Sequence, residues 1–263
     1  ASIIIMSLLV VVAVAGPWLS LPPPYAQDIS MATQGPSGAH WLGTDQLGRD
    51  ILSRLVAGSR FSLLIGFGAV AMGLLMGVPF GMLAGYYGRW VDALFGKAID
   101  VILSFPGIVL ALAVVAVTGP GVSNLVFAIG LRTVPVFARV ARAETASLRQ
   151  RDFIDAARAE GCRPYEILCW HILPNIVGPL AIIATLQTAT AILIGATLSF
   201  LGVGISPEVP EWGSMINAGR PYMMRNPYLV LAPGFTLMLA MMALNIIGDY
   251  LRDKLDPRSR MIR

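Results

Sequence analysis

Residues that could form or break covalent bonds are sparse in this chain, and none stands at a working spacing. Its two cysteines, Cys162 and Cys169, have no second cysteine or histidine at the close intervals that mark zinc ligands, and its two histidines, His40 and His171, lie far apart. Hydrolysis inside a bilayer needs a serine with a base, paired aspartates or a His-Glu-x-x-His pair. None of these occurs, and Asp100 has no comparable partner in the middle of another apolar run. A phosphate-wrapping loop needs Gly-x-x-x-x-Gly-Lys-Ser/Thr; the nearest approach, Gly96-Lys97, has Val91 and Ala98 at the other required positions. The expectation is therefore no catalytic residue, no metal site, and no cofactor or nucleotide held by the chain itself.

The most informative polar stretch is Asp152 to Asn175, DFIDAARAEGCRPYEILCWHILPN. Phe153, Ala156, Ala157 and Glu160 fall at helical spacing. Gly161 ends that turn because glycine tolerates positive φ, and Pro164 can open a second short helix at its first turn. Ala156 and Ala157 would let another backbone approach closely, while Arg151, Asp152, Asp155, Arg158 and Glu160 supply polar contacts around them. Such a bent rod suits docking to a protein; the plainer alternative is a charged loop lying on the bilayer surface.

These residues are carried by a chain of 263 residues that is 56% hydrophobic and only 13% charged, with mean hydropathy +0.72. Soluble domains average roughly 25% charged residues, so a soluble globule is excluded. The net charge of +4 belongs to loops flanking apolar segments, not to a nucleic-acid-binding face. Six stretches read as membrane helices: Ser2 to Trp18, Phe61 to Tyr86, Leu94 to Val117, Leu125 to Val140, Ile176 to Gly204 and Tyr228 to Tyr250. Residues 1–22 form the first span, and the natural chain is expected to extend upstream of it; a cleaved signal peptide is the rival reading. Residues 23–60 form an extracytoplasmic segment with a short amphipathic helix ending near Gly58, and residues 61–263 form the core, with a docking loop at 151–175, an outer loop at 205–227 and a tail at 251–263.

Thirteen of the nineteen lysines and arginines fall on the side that carries the docking loop and the C-terminal tail, so both termini are expected in the cytoplasm. Trp18, Trp41, Trp212, Tyr222 and Tyr228 then collect at the outer interface, and Tyr86, Tyr87, Trp90 and Tyr250 at the inner one. Gly73, Gly77, Gly81 and Gly85 recur every fourth residue and make a smooth ridge for a close helix crossing, within the chain or with a partner subunit. Arg49, Asp50 and Arg54 read as solvated or mutually paired structural charges. Among intramembrane polar residues, Gln187 with Thr185, Thr188 and Thr190 are the candidates for a translocation pathway; Arg132, Asn245, Asp100 and Asp249 are the others, the two aspartates lying near inner ends where basic neighbours can pair with them. Pro106 is expected to bend its span.

The docking segment resembles the EAA loop of bacterial ABC importer permeases, Glu-Ala-Ala, three residues, Gly, nine residues, then Ile-x-Leu-Pro. Asp155, Ala156, Ala157, Gly161, Leu173 and Pro174 match in register, with Asp155 in place of Glu and His171 in place of the first Ile. The run LGTDQLGRDILSRLVAGSRFSL from Leu42, SFPGIVLAL from Ser104, LSFLGVGISPEVPEWGSM from Leu198 and NIIGDYLRDKLDPR from Asn245 are similar to the second-type subunit of the dipeptide and oligopeptide branch. The resemblance implies an all-α polytopic membrane protein of the type I ABC importer permease fold, six transmembrane helices with a cytoplasmic coupling helix, set multi-pass in a bacterial plasma (inner) membrane among its lipids. It implies a homologous permease subunit as heterodimer partner, two ATP-binding subunits that hold ATP and Mg, and an extracytoplasmic solute-binding protein. The coupling helix would use Phe153, Asp155, Ala156, Ala157, Arg158, Glu160, Gly161 and Pro164. Dipeptides or oligopeptides are the implied cargo, with nickel chelate or haem as alternatives. An ion-coupled secondary transporter is the competitor from another class; it would need mid-membrane carboxylates and broken helices in two related repeats, and the sequence shows neither.

Overall fold

A computed structural model describes residues 2–255; the DPR of the C-terminal motif and the rest of the tail to Arg263 lie outside the described residues. Ten α-helices follow one another: α1 (Ser2–Ala15), α2 (Ile51–Tyr87), α3 (Arg89–Leu103), α4 (Gly107–Thr118), α5 (Val122–Leu148), α6 (Asp152–Ala159), α7 (Pro164–Glu166), α8 (Leu173–Phe200), α9 (Trp212–Gly219) and α10 (Tyr228–Leu255). A π-helical turn, Ile167–Ile172, joins α7 to α8 without a break, giving one continuous rod from Pro164 to Phe200. No strand occurs among the described residues.

Four rods are long and apolar enough to cross a membrane: Ile51–Tyr87, Val122–Leu148, Pro164–Phe200 and Tyr228–Lys254. The expected third span is not one helix. It is α3 and α4, which meet at 84° across Ser104–Pro106. Proline both lacks an amide donor and disfavours helical backbone at the residue before it, so the chain breaks here instead of bending. The expected first span is α1 plus a 3-10 turn, Gly16–Trp18; α1 has 14 residues, a rise of about 21 Å. Six apolar segments are thus present as four unbroken rods, one broken pair and one short helix.

The expected separate amphipathic helix ending at Gly58 is also corrected. Helix α2 runs through Gly58 without interruption. A Cβ at Gly58 would stand 3.2 Å from the Pro210 carbonyl and 3.3 Å from Cδ1 of Trp212; the glycine permits close packing on a distant segment and does not stop the helix. Asp50 caps the N-terminus, accepting from the Ser53 amide at 2.7 Å and holding Nδ1 of His40 at 2.9 Å.

The glycine ridge packs within the chain. Gly73, Gly77, Gly81 and Gly85 lie against Phe137, Val134, Ala138 and Ala141, and Thr145 of α5, with backbone atoms of the two helices in close approach. Thr133 reinforces this crossing by donating its hydroxyl to the Ala69 carbonyl at 2.8 Å. One buried cluster joins Met6 and Ala13 of α1 to α2, α8, α9 and α10; a second joins Ile65 and Ala69 to α4, α5 and α8; a third seats α6 on the opposite end of α2 and α5.

At the α2 N-terminus a polar network is locked in place. Arg49 pairs with Asp45 at 2.7 Å. Arg54 is 2% exposed and donates to the carbonyls of Pro24, Pro207 and Glu208 at 3.2, 3.3 and 3.4 Å. Of the two expectations for these charges, solvation or pairing, the buried network shows pairing: both arginines meet Asp45, Arg54 at 3.6 Å, and Arg54 also saturates backbone carbonyls of two loops. Glu211 accepts from the amides of Gly213 and Ser214, both at 2.9 Å, and from the Ser62 hydroxyl at 3.2 Å. Trp212, expected at the bilayer interface, is instead fully buried and donates Nε1 to the Leu55 carbonyl at 3.3 Å. Tyr86, also expected at an interface, is buried as well, whereas Trp18, Trp41 and Trp90 are exposed.

Candidate functional site

The docking segment is built from the chain outward. Helix α6 begins at Asp152 and ends where the Glu160 amide donates to the Ala156 carbonyl at 3.0 Å and the Gly161 amide to that of Arg158 at 3.0 Å. Gly161 takes φ +86° with open space around its Cα, the left-handed geometry that a side chain would strain. The Cys162 amide then returns to the Ala157 carbonyl at 3.1 Å, closing the turn. Pro164 opens α7, and Glu166 accepts from the Arg163 amide at 2.6 Å. The expected second short helix is the first turn of the long α7–α8 rod. In the π-turn each amide reaches back five residues, and the carboxamide of Asn175 donates to the His171 carbonyl at 2.6 Å.

The two faces of α6 differ in chemistry. Ile154 and Ala157 are buried in the cluster formed by Val78, Met82 and Tyr86 of α2, Phe137 and Ala141 of α5, and Ile167, Ile172 and Ile176. Phe153, Asp155, Ala156, Arg158 and Glu160 face outward, as do Gly161 and Pro164 beyond the bend. Of the paired alanines, therefore, only Ala156 is free for a partner; Ala157 anchors the helix to its own bundle. Asp155 and Arg158 pair at 2.8 Å, and the Arg158 guanidinium stands 5.6 Å from the Tyr86 ring centroid. Exposed Tyr165 and Trp170 extend the outward surface beyond the bend; neither was singled out from the sequence, although both lie within its docking stretch.

Beside α6 opens a cleft of about 650 Å3 lined by Gly85, Asp92, Arg142, Arg149, Asp155 and Arg158, among others. Arg142 and Asp92 close its wall as an ion pair at 2.5 Å, and Arg139 pairs with Asp100 at 3.0 Å. These pairs tie α3 to α5. Asp100 thus has the basic neighbour expected of it.

The four pathway candidates on α8 do not form one polar surface. Thr185, Thr188 and Thr190 donate their hydroxyls to the carbonyls of Ile182, Ala184 and Leu186 at 2.8, 2.8 and 3.0 Å, satisfying the helix that carries them. Thr188 packs toward Gly66 of α2 and Thr185 toward Gly248 of α10. Gln187 differs, since its Oε1 is enclosed and has no hydrogen-bond partner among the described residues. The Glu211 network was missed as a structural determinant, although the segment from Leu198 carries its charge beside a helix-capping pattern; Arg54 was read as a structural charge, but not its reach to the carbonyls of Pro24, Pro207 and Glu208.

Comparison with known proteins matches this architecture. The chain is 44% identical over 258 residues to the dipeptide transport system permease protein DppC of Alkalihalophilus pseudofirmus, covering 98% of this chain and 85% of that protein. It is 43% identical over 231 residues to the glutathione transport system permease protein GsiD of Pectobacterium atrosepticum, covering 88% and 77%. In fold it resembles a chain of the MetNI methionine ABC transporter, at TM-score 0.62 and 20% identity, over 77% of this chain and 96% of that one. A chain of an amino acid ABC transporter aligns at TM-score 0.57 and 16% identity, over 78% and 95%. Residues 77–261 match the family described as binding-protein-dependent transport system inner membrane component. With most of the core, from Gly77 of the glycine ridge through the docking bend to the last helix, inside that match, the chain belongs to this family and is a membrane permease subunit of an ABC importer.

Proposed function

We propose that this chain forms half of the translocation pathway of an ATP-driven importer of short peptides and that α6 is the element through which separate ATP-binding subunits move it. The observation that carries this reading is the division of α6 into a buried face fixed to α2 and α5 and an outward face of Phe153, Asp155, Ala156, Arg158 and Glu160. A push on such a helix is transmitted to two long rods as rigid-body motion. The sequence has no phosphate-binding loop, so two partner subunits hold ATP and Mg. A homologous permease completes a heterodimer, and an extracytoplasmic binding protein delivers the cargo. Peptide cargo is supported by the relatives, whose names assign them dipeptide and glutathione transport.

In this arrangement both termini and the 151–175 loop face the cytoplasm of a bacterial inner membrane, as the basic residues favour, and residues 23–60 and 205–227 form the outer surface. Gln187 is the pathway candidate on α8, because its side-chain oxygen has no partner among the described residues. The test is ATP-dependent uptake by the reconstituted complex with its binding protein. Import of labelled dipeptides is expected. Import of nickel chelate or haem alone would overturn the cargo assignment, and uptake driven by an ion gradient without ATP-binding subunits would overturn the energy source.

A further inference from the structure

Arg132 is a half-buried cation with no countercharge among the described residues. It is the eleventh residue of α5, about 15 Å along the helix from its N-terminus, which places it near the midplane of a hydrocarbon core about 30 Å thick. The two acids of α3 are taken: Asp100 holds Arg139 and Asp92 holds Arg142. No described residue pairs with Arg132, and its Nη1 is enclosed with no hydrogen-bond partner.

The chain makes room for this side chain. Its stem and Nε lie against Gly107, the first residue of α4 after the 84° break, where a methyl group would overlap Nε and Cδ. The start of α4 has Pro106 as N-cap and no side-chain cap, so the backbone field beside the guanidinium is also positive. An intramembrane cation is expensive to keep, and packing alone would be served as well by leucine or methionine. What the site lacks is an anion, and the planar guanidinium fork matches a carboxylate.

We propose that Arg132 binds the terminal carboxylate of a peptide as it crosses the middle of the membrane. This rests on the peptide reading above. The terminal carboxylate is the anionic group that short peptides share whatever their side chains, so holding it there orients the cargo while leaving its sequence unread. An acidic side chain from another subunit is the competing source of the same chemistry.

The test compares uptake of one tripeptide with that of its C-terminal amide, each at saturating concentration, by the complete complex with its binding protein. Wild type is expected to prefer the free carboxylate. Arg132→Gln is expected to reduce that preference roughly tenfold or more, the loss of one hydrogen bond to a charged group, and Arg132→Lys to retain part of it. Gly107→Ala, which displaces the guanidinium without removing it, is expected to act like Arg132→Gln and serves where that variant does not assemble. A preference unchanged in both variants, or an equal fall for both peptides, overturns the proposal, the equal fall assigning Arg132 to a subunit contact. If wild type imports neither peptide, the peptide reading itself fails; if it imports both and the ratio never moves, only the role of Arg132 fails.

Discussion

Tyr86, in the last turn of α2, lies beneath the guanidinium of Arg158 in α6, with 5.6 Å between the charge and the ring centroid. Arg149, just before α6, approaches the same ring at 6.0 Å. One aromatic side chain thus joins a membrane rod both to α6 and to the turn that leads into it. Tyr86→Ala is expected to remove this seat and leave a cavity, a loss of about 3 kcal/mol for a buried aromatic. Transport per ATP hydrolysed should fall in the reconstituted complex while hydrolysis persists, and Tyr86→Phe, which keeps the ring, should remain close to wild type.

The bend at Gly161 gives a second prediction. Gly161→Pro cannot adopt φ +86° and loses the amide that donates to Arg158. It should uncouple hydrolysis from uptake without preventing membrane insertion. Unchanged transport would count against the docking role.

The ridge can be tested by contrast. Gly81→Val places carbon atoms against the Ala138 backbone and the Ala141 methyl, so α2 and α5 must separate. A loss of about 1–3 kcal/mol or more is expected from overpacking at a helix crossing, seen as a lower Tm of the purified complex. Gly96→Ala, with nothing within 4 Å, should leave Tm unchanged.

Glu211 offers a prediction remote from the docking segment. Glu211→Ala abandons two backbone amides and the Ser62 hydroxyl in a buried site, with an expected cost of about 1.5–3 kcal/mol. Faster proteolysis between residues 205 and 227 would report it; protection equal to wild type would show that other contacts hold this loop.

Much of this architecture was legible because periodic or punctuating residues carry local physics. The four-residue glycine spacing foretold a close helix crossing, though not that α5 is its partner, and Gly161 marked the bend that its positive φ now explains. Gly58 misled for the converse reason. A glycine required for close approach to Pro210 and Trp212 looks, from one strand of sequence, the same as a helix stop. Pro106 announced a perturbation but not its size, since 84° depends on what α4 packs against after the break. The inward turn of Ala157 and the burial of Arg54 and Trp212 were likewise set by distant partners, which no local pattern contains.

The central claim is that the outward face of α6 meets an ATP-binding subunit. With Cys162 and Cys169 replaced by serine, a cysteine introduced as Ala156→Cys should cross-link to that subunit in the assembled transporter, and the yield should change when ATP is added. A cysteine there that stays fully reactive to a soluble thiol reagent in the working complex, with no cross-link in any nucleotide state, would contradict the account.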